Sequence, residues 1–262
     1  MPHLRAIERR TSRASADAAA FPFSVPAVRS LERLDLSAGV TFFVGENGSG
    51  KSTLLEGIAA AAGLPTVGSA DVARDDTLAV QRRLRDAFRL VWTRRTRRGF
   101  FLRAEDFFGF ARHMAALRAE MEARLGEVDA AYADRSAYAR SLAAGPARAS
   151  LAGLAQRYGE GLDAQSHGEG FLALFRARLV PDGLYLLDEP EVALSPQSQL
   201  GLMVMIHTML GRGAQFVIAT HAPILLAFPG ARIYSFDADP MAEAAFDDLE
   251  HVRLTREFLA AP

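Results

Sequence analysis

Short continuous apolar runs, each broken off by glycine, proline or acid, alternate with stretches of helical spacing. The first clear example is Val40-Thr41-Phe42-Phe43-Val44, which reads as a buried strand. A glycine-rich turn follows at once, and from Ser52 the positions of Leu54, Leu55 and Ile58 predict a helix. Toward the C-terminus the alternation returns: a helix over 170–179, a strand over 184–187, a helix over 196–210 and strands over 215–219 and 232–236. Strands that alternate with helices predict a mostly parallel sheet with helices on both faces. Residues 21–44 mix turn signals with short β-type runs.

The middle of the chain has another pattern. Residues 105–157 are rich in Ala, Arg, Glu and Leu, which predicts two or three helices broken near Gly126 and at Gly145-Pro146. They are read as a helical subdomain inserted at about 104–165 into one domain spanning 1–262. Residues 64–80 read as irregular and 100–102 as a short strand. Residues 81–103 hold nine arginines against one acid, Asp86, with Phe88, Trp92, Phe100 and Phe101 interleaved.

Composition changes this picture only in places. With 50% hydrophobic and 23% charged residues, the chain has the make-up of an ordinary globular protein. A formal net charge of −1 supplies no whole-molecule attraction to polyanions or anionic membranes. The absence of cysteine excludes disulfides, thiolate metal sites and a cysteine nucleophile. The longest apolar stretches, 200–210 and 216–228, are interrupted by His207, His221 and Pro223, so no transmembrane segment is expected. Arg5, Glu8, Arg9, Arg10, Arg13 and Asp17 near the N-terminus do not form a secretory signal, and a cytoplasmic location is expected. The only lysine is Lys51 and the only asparagine is Asn47. In an arginine-biased chain, both mark places where the chemistry resisted substitution.

Both lie in Gly45-Glu46-Asn47-Gly48-Ser49-Gly50-Lys51-Ser52, the phosphate-loop pattern GxxxxGK[ST], set between a predicted strand and a predicted helix. Such a loop turns backbone N–H groups inward around phosphates, and Thr53 continues it into the helix whose positive end faces them. Lys51 is expected to reach the β- and γ-phosphates of ATP and Ser52 to ligate Mg²⁺. An arginine fork does not fit where a compact ammonium must thread the loop.

Leu184-Tyr185-Leu186-Leu187-Asp188-Glu189-Pro190 is an apolar strand ending in two acids. Asp188 is expected to hold the Mg²⁺ shell and Glu189 to orient or deprotonate the attacking water. His221 follows the strand 216–220 and is the third catalytic candidate, placed to hydrogen-bond the γ-phosphate and that water.

With these motifs the chain resembles the ABC-type ATPases, and most closely the stand-alone bacterial ATPases grouped as AAA or ABC-like. Ser166-His167-Gly168-Glu169 looks like the signature motif of that family, and 191–196 like the loop crossing its dimer interface, with Ser195 where aspartate is usual. The resemblance implies an α/β P-loop NTPase fold: an ABC-ATPase-like, mostly parallel sheet with flanking helices, an antiparallel β portion near the N-terminus and a helical insert. It implies a homodimer closing on two ATP molecules, with Ser166, Gly168 and Glu169 acting in trans on the partner's γ-phosphate. It also implies an aromatic on the adenine, Phe21 or Phe23, and a glutamine at the start of the insert. Glu105 stands near that last point, but no glutamine does.

Three functions compete: a Mg²⁺-dependent ATPase working as a homodimer, the nucleotide-binding subunit of a transporter, and a nucleic-acid-linked ATPase using the arginine-rich stretch. The missing glutamine and the signature's His167, where a glycine is usual, count against a membrane partner. In the third reading arginines contact phosphates while the interleaved aromatics stack on bases.

Overall fold

In the computed structural model, residues 2–10, 20–67, 75–158 and 167–261 are described. The chain opens with strand β1 (Leu4–Arg9), a short helix α1 (Pro26–Arg29), strand β2 (Arg33–Asp35) and strand β3 (Val40–Val44), which leads through the glycine turn into helix α2 (Lys51–Ala62). Helix α3 (Asp75–Ala87), strands β4 (Phe88–Trp92) and β5 (Gly99–Arg103) and the helices α4 (Ala104–Ala131), α5 (Ala137–Tyr158) and α6 (His167–Arg178) follow. The remainder runs β6 (Leu184–Asp188), α7 (Pro196–Leu210), β7 (Gln215–Ala219), α8 (Pro223–Leu226), β8 (Arg232–Ser235), β9 (Ala242–Glu243) and α9 (Glu250–Ala260).

The strands form two sheets. One is antiparallel, in the order β2-β1-β4; the other has six strands in the order β5-β6-β7-β3-β8-β9. All pairs in the second are parallel except β8 with β9. Strands β3, β6 and β7 are buried along their whole length, which is why they read as continuous apolar runs. Register brings Arg103 beside Asp188, Asp188 beside Ala219 and Phe43 beside Ala219. The carboxyl ends of β5, β6, β7 and β3 therefore share one edge, where open parallel sheets bind ligands.

One core joins the two sheets, with Leu4, Ile7 and Leu34 from the first packing in the same cluster as Phe43, Leu186, Val217 and Ile58. Gln215, fully buried at the start of β7, ties them by hydrogen bonds. Its Oε1 accepts from His3 N (2.9 Å) and Leu4 N (2.7 Å), and its Nε2 donates to Leu4 O (2.9 Å) and Leu36 O (2.6 Å).

The chain divides into two compact units, one of residues 1–106 with 179–262 and one of 107–178. The second unit holds most of α4 together with α5 and α6. It has its own aromatic core, in which Phe171 meets Phe107 and Phe175, each at 4.9 Å between ring centroids.

Several local expectations are corrected. Gly126 and Gly145-Pro146 break nothing: α4 runs through the first and α5 through the second. The Ala-rich flanks have high helix propensity, and the burial of Ala144 and Ala147 holds α5 across the one N–H that Pro146 lacks. Strand β1 and helix α9 were not expected, and α3 occupies part of a stretch read as irregular. The arginine-rich stretch is α3, β4, a loop and β5 rather than one surface. Phe88, Phe100 and Phe101 are core residues exposed by 1%, 3% and 2%, so they are closed to bases, and Trp92 packs against the same core.

Candidate functional site

Strand β3 delivers the chain to Gly45, the first of three glycines in this turn with positive φ: +147° at Gly45, +84° at Gly48 and +102° at Gly50. A Cβ on Gly45 would lie 2.9 Å from Phe236 Cβ, and one on Gly50 would lie 2.4 Å from Val25 Cγ1. At Gly45 and Gly50 the backbone is thus both at positive φ and hemmed in, and only glycine meets both demands. Glu46, Asn47 and Gly48 are exposed, Ser49, Ser52 and Thr53 half-buried, and Gly45, Gly50 and Lys51 buried. Glu46 N is pinned by Asp237 Oδ1 at 2.7 Å, from the residue just beyond β8.

Lys51 opens α2 and curls back under the loop, its Nζ donating to Gly45 O at 2.6 Å and Glu46 O at 2.9 Å. Burial lowers its pKa, while the carboxylates of Glu189, Asp188, Asp237 and Glu191 pull the other way. A buried ammonium whose hydrogen-bond partners among the described residues are carbonyls, at the mouth of a ring of amides, is suited to an anion.

Ser52 and Asp188 meet as expected, with the Ser52 hydroxyl donating to Asp188 Oδ1 at 3.1 Å. Burial pushes Asp188 up to about 6; the Ser52 hydrogen bond and the Arg103 charge restrain the rise. The next residue, Glu189, has left-handed φ and ψ of 50° and 49°, strained for a residue with a Cβ. Its N–H donates to Ala219 O at 2.9 Å, which fixes the turn against β7. Ser52, Asp188, Glu189, Arg103, Ala104, Glu105 and Val192 line a cavity of about 300 Å³.

His221 lines a second cavity of about 560 Å³, together with Gly45, Glu46, Asp237 and His251. Its backbone N–H donates to Glu191 Oε1 at 2.6 Å, and its Nε2 has no hydrogen-bond partner among the described residues. Burial and the nearby Lys51 charge lower its pKa, which favours the neutral ring. The His251 ring of α9 lies 6.4 Å away.

Three contributors to this site went unassigned in the sequence. Asp237 carries the signal of an acid just past a strand at the carboxyl edge. Glu191 sits in Asp188-Glu189-Pro190-Glu191, and its buried carboxyl, raised in pKa by that burial, holds the His221 backbone. Arg103 was hidden in the arginine-rich run. Of the two adenine candidates, Phe21 is 54% exposed, whereas Phe23 packs against the core beneath the Arg83 guanidinium. In the signature stretch Ser166 lies outside the described residues, while Gly168 is buried and Glu169 exposed in the first turn of α6.

A parallel sheet with a glycine phosphate loop between β3 and α2, and an acid-tipped strand two positions away, is the P-loop NTPase fold. A family model described as "AAA domain" matches residues 23–89, and one described as "AAA domain, putative AbiEii toxin, Type IV TA system" matches 170–227. No curated protein matches the chain.

Solved structures similar to the chain include MJ1267, an ATP-binding cassette of an ABC transporter in its ADP conformation, at 16% identity and TM-score 0.49, covering 100% of each chain. Another is cbiO1 from Clostridium perfringens, part of the ABC transporter complex cbiONQ, at 14% identity and TM-score 0.49, covering 100% of this chain and 97% of that one. A third is the Smc head domain from Pyrococcus furiosus, at 11% identity and TM-score 0.45, covering 99% of this chain and 100% of that one. No helix among the described residues is long and apolar enough to cross a membrane.

Proposed function

We propose that the chain binds ATP with Mg²⁺ and hydrolyses it to ADP and phosphate. The observation that carries this reading is the convergence of Lys51, Ser52 and Asp188, from the phosphate loop and β6, at one sheet edge. In this reading the triphosphate lies in the ring of amides from Gly45 to Thr53. Lys51 exchanges its carbonyl partners for phosphate oxygens, so its hydrogen bonds are kept while its charge is met.

The donors suit Mg²⁺, which keeps several waters and takes one or two protein oxygens beside phosphate; Ser52 and Asp188 offer a hydroxyl and one carboxylate. The metal, when bound, neutralises charge developing on the phosphate oxygens. Glu189, on the cavity beside Asp188, takes the role of orienting or deprotonating the water. Neutral His221 takes that of a hydrogen-bond donor to the terminal phosphate. The strained backbone of Glu189 supports this assignment, since such conformations cluster where a side chain must be aimed.

In the same reading ATP closes a homodimer in which Ser166, Gly168 and Glu169 of one copy face the phosphate of the other, and Phe21 takes the adenine. The nucleic-acid reading loses its three phenylalanines as stacking platforms, because they are buried, and keeps only the half-buried Trp92. Mg²⁺-dependent ATP binding by the purified chain, lost in Lys51→Ala, tests the proposal. Glu189→Gln is expected to bind ATP, to turn over at least about 100-fold more slowly and to accumulate as a dimer by light scattering. Wild-type turnover in that variant refutes the assignment of Glu189.

A further inference from the structure

Arg103 closes β5, and the parallel register sets it directly beside Asp188. Its guanidinium is paired with Glu56, lies 5.5 Å from the centre of the Phe101 ring, and brings Nε to 3.8 Å from Asp188 Oδ2. Glu56 stands one helical turn beyond Ser52 on α2. The helix that presents the Ser52 hydroxyl therefore also anchors the arginine.

These three holds differ in strength. Glu56 and the Phe101 ring grip one end of the side chain. The approach to Asp188 is too long for a hydrogen bond and acts through charge alone. Among the described residues Arg103 is also the only cation lining a cavity that carries the acids Glu105, Asp188 and Glu189. Its side chain is 30% exposed, against 8% for Asp188, so it has room to turn that the acid lacks.

A planar guanidinium offers five donors, enough to keep Glu56 and serve another acceptor at once. When a divalent cation shares Asp188, two positive groups compete for one carboxylate, and the arginine gains by turning to the nearest fresh anion. On the ATP-binding reading, the anion nearest to this cavity would be the outermost phosphate of the nucleotide.

Resting on the ATP-binding reading above, we propose that Arg103 senses the terminal phosphate in its own subunit: anchored by Glu56, its guanidinium leaves Asp188 for a γ-phosphate oxygen when a triphosphate binds. A diphosphate presents no oxygen there, so Arg103 separates ATP from ADP, whereas Lys51 grips both.

The test is titration of fluorescent ATP and ADP analogues with Mg²⁺ into the purified wild type, Arg103→Gln and Arg103→Met. Gln keeps hydrogen-bonding capacity toward Glu56 and Met keeps the apolar stem, so whichever variant melts cooperatively serves. ATP affinity is expected to fall about tenfold or more, the scale of one charge-assisted hydrogen bond, with ADP affinity within about twofold of wild type. An ion pair that is only structural would lower both affinities together or change only the melting temperature, and an unchanged ATP-to-ADP ratio overturns the proposal. A wild type that binds neither nucleotide overturns the ATP reading itself, a result distinct from a wild type that binds both with variants that keep its ratio.

Discussion

Asp188→Asn is expected to make the nucleotide-free protein more stable and the nucleotide-bound protein weaker. Burial raises the Asp188 carboxyl from 3.8 to about 6. At about 1.36 kcal/mol per pH unit, holding it ionised at neutral pH costs the folded state roughly 3 kcal/mol. The sign follows from the direction of the shift: a carboxyl raised on folding contributes most below its unfolded value of 3.8, and that contribution is lost as pH rises through about 6. Asparagine has nearly the same shape, keeps an oxygen for the Ser52 hydroxyl and carries no charge. Wild type and variant should therefore melt most alike at and below pH 4, and the gap should open between about pH 4 and 6 and stay level above that.

At pH 7.5, without metal or nucleotide, the variant is expected to gain up to about 3 kcal/mol, or roughly 6–10 °C in Tm. Differential scanning fluorimetry across pH, with circular dichroism as a second probe, measures it. Adding Mg²⁺ with ATP should reverse the order, because only the wild type gains binding energy through this carboxylate. A variant less stable than wild type at pH 7.5, or a gap that is the same at pH 4 and pH 7.5, refutes the view that Asp188 is held charged against burial for the sake of a cation.

Two further substitutions test the scaffold. Gln215→Leu strands the buried N–H groups of His3 and Leu4 and the carbonyls of Leu4 and Leu36. It is expected to cost about 4 kcal/mol or more in urea unfolding, and a loss below about 1 kcal/mol contradicts the role of Gln215 as the tie between the sheets. Gly50→Ala sets a Cβ 2.4 Å from Val25 Cγ1 at a φ of +102°. It should destabilise the fold by about 1–3 kcal/mol and abolish measurable ATP binding by isothermal titration, whereas wild-type affinity would mean that the loop tolerates a side chain.

What the sequence determined was local. The phosphate loop, the acid-tipped strand and the strand before His221 each combine an apolar run with its turn inside one short window. Burial on both faces makes a parallel strand continuously apolar, and the glycines needed for φ above zero sit beside the lysine that they frame. The parallel class of the sheet was legible for that reason, and so was the grouping of Lys51, Ser52, Asp188, Glu189 and His221 as candidates, whose roles belong to the proposal.

Strand pairing decided the rest. β4 hides because arginines flank it and one, Arg89, stands within it, and only pairing with β1 shows which side is inward. The same pairing turned Phe88 into core rather than a platform for bases. Arg103 became part of the site because it falls opposite Asp188 in register, 85 positions along the chain, the difference of 188 and 103. Asp237 and Glu191 reached the phosphate loop and His221 through hydrogen bonds between residues remote in sequence. Charge and hydrogen bonding act over a few ångströms of space, so a site built from several strand ends exists only once the register of those strands is set.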